Sequence, residues 1–401
     1  MGNVGIIAEY NPFHNGHKYQ IEEAKRVSGA EKAVIIMSGS FVQRGEPACA
    51  DKFKRAEWAI SCGADMVIEL PDVFALSCAE RFASGGVRIL AGTGLVDSIC
   101  FGSETGSIEA LERMADKAVE GNALSDNLKS GMSYPAALSA AGGVSPFPND
   151  ILGIEYIKAV RVNCPDMSLY TVKRTDGGYN DDELGGEFSS ALAIRRSFSN
   201  YSGFTRMSPA VFDGISRALP RCVLEDVSNM IKAGSFPSTD NELSASILYK
   251  FRCMDVNETA SLPDVSEGLE NLFARESLNS SDYPEMLSRI KSKRYTMARL
   301  KRIAMCGLLG ITSELQTAAF KEQSALYARI LAVKSGSESL LNLISKTASI
   351  PVITKASDRN ALPKIAAEIE RISALAHTLR ALGQPYDKHS EADSSHRLIV
   401  R

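Results

Sequence analysis

The sequence predicts an α/β protein in which a wound parallel sheet is followed by a mainly α-helical region. Short β-branched or apolar runs alternate with helix-length segments in the first half, a pattern typical of parallel strands joined by crossover helices. Beyond residue 208, Leu, Ile, Val and Met recur at helical spacing instead. The 401 residues are enough for two or three domains, each with its own apolar core.

Five short strands are predicted in the first half, each bounded by Gly, Pro, Ser or a charged residue. They occupy residues 4–8, 33–37, 66–70, 98–101 and 169–172. Residues 151–162 have a helical pattern. Residues 121–148 are rich in Gly, Ser, Pro and Asn, which predicts an insertion or a lid. The first domain is therefore expected to span residues 1–200.

The second region, residues 201–401, is predicted to be helical between residues 208 and 309, with polar interruptions at 234–240 and 279–284. Three segments, at 328–333, 338–344 and 351–354, then predict a small strand-helix-strand unit near 328–354. A helix is expected at about 363–382, and the tail that follows is polar and weakly patterned.

Composition excludes a disordered chain, a collagen and a coiled coil as descriptions of the whole protein. Hydrophobic residues make up 44 % and charged residues 23 %, as in ordinary globular proteins. The net charge is -3, so any contact with nucleic acid requires a local basic patch. Because no apolar run approaches about 18 residues and the N-terminus lacks a basic segment, we expect neither a membrane span nor export. The eight cysteines form no CxxC unit, which favours reduced thiols in a cytoplasm.

Two of the five histidines stand in one string directly after the first predicted strand, Asn11-Pro12-Phe13-His14-Asn15-Gly16-His17. Pro12 prevents the strand from continuing, and a helix is predicted to begin near Asn15. His14 and His17 then face the same way, at a helix N-terminus of the kind that binds phosphates in α/β sheets. Two imidazoles there can donate hydrogen bonds to a phosphate whose charge grows as it is attacked. The alternative is a pair of surface or capping histidines.

A second cluster is basic. Residues 289–302 contain seven basic side chains and no acidic one, namely Arg289, Lys291, Lys293, Arg294, Arg299, Lys301 and Arg302. The helical pattern allows one face of this segment to pack on the core while Arg299 and Arg302 line another. Such a run is either a solvated helix face or a surface that binds phosphate backbones, and the run taken alone favours the solvated face.

The string His-x-Gly-His after a first strand is the signature of the nucleotidyltransferase superfamily. The longer string from Glu9 to His17 resembles one branch of it, the bacterial tRNA(Met) cytidine acetate ligase family. Further strings that agree with this branch lie at residues 37–47, 63–71, 79–83, 101–104, 149–153 and 293–296. They occur in order, and the match extends from residue 5 to about 360, which is nearly the whole chain. The resemblance implies a Rossmann-like nucleotidyltransferase domain for ATP binding and catalysis over 1–200, followed by a tRNA-binding region over 201–401.

The resemblance also implies a reaction. Acetate would attack the α-phosphate of ATP, with Mg²⁺ on the phosphates, to give acetyl adenylate and pyrophosphate. The N4 amino group of the wobble cytidine of elongator tRNA(Met) would then take the acetyl group. Two other hypotheses remain open: a small-molecule adenylyltransferase that never meets RNA, and a catalytically inactive RNA-binding protein that kept the fold.

Site residues follow from the resemblance position by position. His14 and His17 are expected to be catalytic, and Lys293, Arg294, Arg299 and Arg302 to bind tRNA, whereas no metal ligand can be named. The expected ATP-binding residues are Ile7, Ala8, Glu9, Tyr10, Asn11, Pro12, Phe13, His14, Asn15, Gly16, His17, Lys18, Tyr19, Gln20, Gly102, Asn149 and Arg174.

One departure from the superfamily pattern concerns its second signature, Ser-Ser-Thr-x-Ile-Arg. Aligned on Ile194 and Arg195, this chain keeps Ser190 but has Ala191 and Leu192 where hydroxyl groups are expected. Arg195 keeps the positive charge and is a candidate phosphate-binding residue, with Arg196 beside it as the alternative.

Overall fold

A mixed sheet of eight strands forms the centre of the molecule in the computed structural model, which describes residues 2–119, 137, 147–174, 184, 187–199 and 209–401. Seven of these strands follow the order β10-β8-β5-β2-β1-β6-β7, and β9 pairs with β8 beside them. The strands of the sheet are β1 (Asn3–Ala8), β2 (Lys32–Ser38), β5 (Met66–Leu70), β6 (Ser98–Ser103), β7 (Ser168–Lys173), β8 (Ala328–Val333), β9 (Val352–Ile353) and β10 (Ile399–Val400), while β3 (Phe41–Val42) and β4 (Glu46–Pro47) form a separate antiparallel hairpin.

The five strands from β5 to β7 are parallel, as predicted. Strand β1 lies between β2 and β6, with Ile6 opposite Ile35. From β1 the chain adds β2 and β5 on one side, then returns to add β6 and β7 on the other. The crevice at the carboxyl ends of β1 and β6 is therefore the topological switch point, where open α/β sheets bind their ligands.

Both faces of this sheet are covered, which explains the continuous apolar strand sequences. In β2, Ile35 and Ile36 are fully buried in cores on opposite faces. Gly86 lets one covering helix approach β1 closely, since a Cβ there would come within 2.7 Å of Ile7. The helices of the first region are α1 (Asn15–Ser28), α2 (Lys52–Ser61), α3 (Asp72–Ala75), α4 (Ala79–Thr93), α5 (Ile108–Val119), α6 (Pro148–Asn163) and α7 (Ala191–Ser199).

The second region is mainly helical, as predicted. Its helices are α8 (Pro209–Ala218), α9 (Arg221–Ala233), α10 (Ser244–Cys253), α11 (Val256–Ala260), α12 (Leu269–Asn279), α13 (Tyr283–Ile290), α14 (Met297–Leu309), α15 (Ser313–Lys321), α16 (Ser339–Thr347) and α17 (Lys364–Leu382), with 3-10 turns at Gln323–Ala325, Ala356–Ala361 and Asp393–Ser395. The α/β fold predicted from sequence is thus confirmed. The predicted insertion at 121–148 lies outside the described residues, apart from residues 137, 147 and 148.

Strand β8 joins the second region to the first, because it pairs antiparallel with β5. A buried charge network reinforces this junction. Lys52 Nζ lies 2.5 Å from Glu69 Oε1 and 2.7 Å from Asp393 Oδ2, and Arg329 of β8 pairs with the same two carboxylates. The sheet therefore continues across residue 200, and the division of the chain there stays a prediction.

In the part of the chain that the structure describes, no single helix has both the length and the apolar composition to cross a membrane. Helices Met297–Leu309 and Ser313–Lys321 reach that composition only as a pair, with a bend of 98° between them.

Candidate active site

The site expected from the histidine string lies at the switch point of the sheet. The turn after β1 leads directly into α1, whose first residue is Asn15, as predicted. This turn is tight, since Tyr10 adopts a left-handed φ of 49°. Gly102 lies in β6, and Arg174 follows β7 with its backbone N–H donating to Ser103 O at 2.9 Å. The fold therefore brings residues more than 80 positions apart to one edge.

His14 and His17 cap the first turn of α1 together. His14 is the N-cap, and its Nδ1 accepts a hydrogen bond from the Gly16 N–H at 3.1 Å. His17 Nδ1 accepts from the His14 N–H at 3.3 Å. A ring nitrogen that accepts a hydrogen bond carries no proton, so each neutral ring has its proton on Nε2. Both side chains can thus act as hydrogen-bond donors through Nε2–H.

The same two histidines are neutral at physiological pH. Burial, together with the positive charges of Arg174 and Arg195, lowers the pKa of His14 to about 3. Burial, His14 and Arg174 hold the pKa of His17 well below its usual value. The rings stack with centroids 3.7 Å apart, and the ring of Tyr10 meets His17 edge-on at 4.8 Å. The pair therefore provides neutral donors, while the positive charge at the site comes from arginines.

Arg174 lies against Gly102 and close to α1. A Cβ added to Gly102 would lie 3.5 Å from Arg174 Cγ and 3.8 Å from Gln20 Nε2. Three expected ATP-binding residues from three separate segments therefore meet at one place. Because Arg174 lowers the pKa of both histidines, its charge lies within electrostatic reach of the histidine pair.

Arg195 also reaches the histidine string. Its Nη1 donates to the Asn11 carbonyl oxygen at 2.6 Å, and its Nη2 lies 3.6 Å from Glu46 Oε2. Arg196, the alternative, is exposed on the same helix. The second signature lacks two of its hydroxyl groups in this chain, but its arginine, Arg195, is held in place beside the histidine string.

Asn149 lies at the start of α6, next to the end of β6. Its side-chain amide donates to Glu104 Oε1 at 2.6 Å. The neighbouring Asp150 is buried and accepts hydrogen bonds from Ser103 Oγ at 2.5 Å and Thr105 Oγ1 at 2.6 Å. These bonds fix the N-terminus of α6 at the same edge of the sheet as Gly102.

The remaining residues of the 7–20 segment have different environments. Ile7, Tyr10, Pro12 and Phe13 are buried, so they support the turn from inside the protein. Glu9 Oε1 accepts from the Gln43 N–H at 2.8 Å. Asn15 Nδ2 donates to Arg217 O and Tyr19 packs against Phe188, whereas Lys18 pairs with Glu22 within α1. Ala8 ends β1, and Gly16 supplies the N–H that His14 accepts.

The four predicted tRNA-binding residues fall into two groups. Lys293 and Arg294 are exposed in the turn before α14, with Arg294 3.0 Å from Glu267. Arg299 instead donates to the Asp264 carbonyl oxygen at 2.7 and 3.0 Å, and Arg302 lies 3.4 Å from Asp264 Oδ2. The helical face that carries Arg299 and Arg302 therefore packs on a neighbouring loop.

No group of three or more His, Cys, Asp or Glu side chains suited to a metal ion occurs within the described ranges.

Comparison with known proteins identifies the family. A family model described as HIGH Nucleotidyl Transferase matches residues 1–394. A protein of Acetivibrio thermocellus named tRNA(Met) cytidine acetate ligase is 39 % identical over 89 % of both chains. A protein of the same name from Alkaliphilus metalliredigens is 34 % identical over 99 % of this chain and 97 % of the relative. This chain belongs to the tRNA(Met) cytidine acetate ligase family.

Solved structures of similar proteins agree with this assignment to the tRNA(Met) cytidine acetate ligase family. Thermotoga maritima TmcAL bound with alpha-thio ATP has a TM-score of 0.89 and 30 % identity, with both chains covered completely. Its apo form gives 0.90 and 31 %. The resemblance stated from the sequence strings is thereby confirmed.

The structure brings to the site two carboxylates that sequence reasoning left without a role. Glu46 contacts Arg195, and Glu104 holds Asn149. Both residues lie in strings that support the resemblance, at 37–47 and 101–104. Membership of these strings was the only feature of the sequence that pointed to a role for them. Arg195 lies 149 positions from Glu46, and Asn149 lies 45 positions from Glu104. Local sequence patterns do not predict contacts over such separations.

Proposed function

We propose that this chain uses ATP and acetate to acetylate the N4 amino group of the wobble cytidine in elongator tRNA(Met). The observation that carries the proposal is the pair of neutral imidazoles at the N-terminus of α1, with Arg174 and Arg195 beside them. A helix N-terminus favours a phosphate, and the Nε2–H groups and guanidinium groups supply donors where charge develops. Relatives 34 and 39 % identical are named for this activity, and a structural neighbour is bound with an ATP analogue.

The first step joins acetate to the α-phosphorus of ATP. A carboxylate oxygen of acetate attacks phosphorus, the bond to the β-phosphate oxygen breaks, and pyrophosphate leaves with the electron pair. Negative charge grows on the phosphoryl oxygens during this displacement. His14 and His17 then stabilise it with uncharged donors, and Arg174 and Arg195 stabilise it with positive charge.

The second step transfers the acetyl group. The N4 amino group attacks the carbonyl carbon of acetyl adenylate, AMP leaves, and N4 releases one proton. Lys293, Arg294, Arg299 and Arg302 are assigned to the tRNA phosphates, and the exposure of Lys293 and Arg294 makes these two the more available pair. A protein that acts on tRNA would work in the cytoplasm, and that location belongs to the same proposal.

The remaining site assignments belong to the same proposal. Residues 7–20, Gly102 and Asn149 are assigned to ATP. Gly102 allows close approach of the nucleotide, and Asn149 offers an amide to the base edge while Glu104 orients it. ATP would thus lie across the switch point between β1 and β6.

The test is pyrophosphate exchange into ATP by the purified protein, with and without acetate and with and without bulk tRNA. Exchange that requires acetate but not tRNA is the expected result. Exchange that requires a different small molecule would favour a small-molecule adenylyltransferase. Absence of exchange combined with tRNA binding would favour an inactive RNA-binding protein.

A further inference from the structure

The hairpin formed by β3 and β4 contacts the histidine string and helix α14 at the same time. Gln43 in its loop donates its N–H to Glu9, which directly precedes Tyr10 of the active-site turn. Gly45, with a φ of 76°, lies against α14 so closely that a Cβ there would collide with the backbone of Lys301 and Arg302. The hairpin is thus packed between the active-site turn and helix α14, which carries Arg299 and Arg302.

Glu46 is the charged residue at the centre of this contact. Its Oε1 lies 2.7 Å from Lys301 Nζ and its Oε2 lies 3.6 Å from Arg195 Nη2. Lys301 is also held by Asp240 at 2.7 Å. Burial raises the pKa of Glu46, but the charges of Lys301, Arg195 and Arg44 outweigh burial and keep the pKa below its usual value. Glu46 is therefore ionised between two cations.

Arg195 spans the short distance from Glu46 to the active-site turn. One end of its guanidinium group donates to the Asn11 carbonyl oxygen, and the other faces Glu46. The side chains of Arg195 and Glu46 are 17 % and 24 % exposed, so water screens this pair only partly. A guanidinium group that binds a phosphate must be held in one orientation, because a small displacement of a catalytic group lowers the rate strongly.

We infer that Glu46 is a positioning residue for adenylation, which acts through Arg195 and is itself held in place by Lys301 of α14. The inference rests on the proposed function, since it takes Arg195 to bind the ATP phosphates. Glu46 does not contact the reacting atoms itself. Its effect should therefore appear in the rate of acetyl adenylate formation without tRNA, and should depend on the presence of Arg195.

A double-mutant cycle on acetate-dependent pyrophosphate exchange tests this inference. The variants are Glu46→Gln, Arg195→Ala and the two combined, with Glu285→Gln as the matched control, because Glu285 pairs with Arg289 at 2.7 Å on the solvent side of α13. Glu46→Gln should lower kcat about 10- to 100-fold with a smaller change in KM for ATP. In the Arg195→Ala background the same change should lower kcat less than about 3-fold, because its partner is already gone.

Three results separate the outcomes. Effects that multiply in the double variant, or a Glu46→Gln enzyme with wild-type kcat, would overturn the inference and leave the proposed function intact. Absence of acetate-dependent exchange in the wild type would instead overturn the proposed function. Glu46→Asp, which keeps the charge, should fall between the wild type and Glu46→Gln, and urea unfolding of every variant verifies that rates are compared among folded proteins.

Discussion

The rings of His14 and His17 lie 3.7 Å apart, and each turns its Nδ1 to a backbone N–H of the same helical turn. This arrangement fixes the tautomer of both rings. It also combines two roles, because the Nδ1 atoms cap α1 while the Nε2–H groups remain for a phosphate. Substitutions of the pair should therefore affect both catalysis and stability.

Replacing His14 or His17 by Ala should reduce acetyl adenylate formation about 100- to 1000-fold, which corresponds to roughly 3 to 4 kcal/mol of transition-state stabilisation. Stability should fall by only about 1 kcal/mol through the lost cap. Acetate-dependent pyrophosphate exchange and urea unfolding measure the two effects. The exposed His389→Ala serves as the control. Wild-type exchange by the double Ala variant would refute the site assignment.

His14→Gln should change how stability depends on pH. The folded-state pKa of His14 is lowered to about 3, so between about pH 6.5 and 3 the unfolded chain binds a proton there that the folded chain does not. His14 therefore makes the wild type lose stability as pH falls through this range, by up to about 1.4 kcal/mol per pH unit. The variant lacks this loss.

Urea unfolding of the wild type and His14→Gln at several values between about pH 7 and 5 measures the difference. Taking the difference cancels the titrating groups that His14 does not influence, among them Asp72, whose pKa burial raises to about 7. The lost cap shifts the whole curve of the variant without changing its slope. Parallel curves would mean that His14 titrates normally in the folded protein.

The active-site turn could be predicted from sequence because its signals are local. Pro12 ends the strand and the histidine spacing marks the first helical turn, so α1 was expected at Asn15, where it begins. The antiparallel pairing of β8 with β5 had no such signal, since Arg329 meets Glu69 across 260 positions. Charge was also a poor guide to exposure, because Lys52 is fully buried with two carboxylates and Arg299 is bonded to a neighbouring loop.

Lys293→Ala combined with Arg294→Ala should weaken tRNA binding without changing acetyl adenylate formation, because both side chains are exposed in the turn before α14. Each lost phosphate contact should flatten the slope of log affinity against log salt by about 0.7 to 0.9. Binding titrations at several salt concentrations measure the slope. Lys364→Ala with Arg371→Ala, two exposed cations of α17, is the control pair. An unchanged slope would mean that Lys293 and Arg294 are solvated surface residues that do not contact tRNA phosphates.

Arg299→Ala and Arg302→Ala should differ from that pair, since both side chains bond to Asp264. If they also contact tRNA, their loss should reduce RNA affinity and lower the unfolding midpoint together. Thermal unfolding beside the same binding titrations distinguishes the two effects. A lower midpoint with unchanged tRNA affinity would assign both residues to the fold alone.

Asp393→Ala should be strongly destabilising, by about 3 to 5 kcal/mol, because it leaves Lys52 and Arg329 buried with less compensating charge. Asp213→Ala removes an exposed pair with Arg217 and should change stability by less than about 1 kcal/mol. Urea unfolding compares the two variants. Similar small losses in both would show that the buried network does not hold the second region to the sheet.

Transfer of labelled acetate to tRNA tests the central claim most directly. Purified protein, ATP, magnesium, labelled acetate and elongator tRNA(Met) are incubated without coenzyme A, and the tRNA is digested to nucleosides. The account predicts label in N4-acetylcytidine, dependent on ATP and abolished by the double His14 and His17 to Ala substitution. Label that appears only when acetyl coenzyme A replaces acetate and ATP would contradict it.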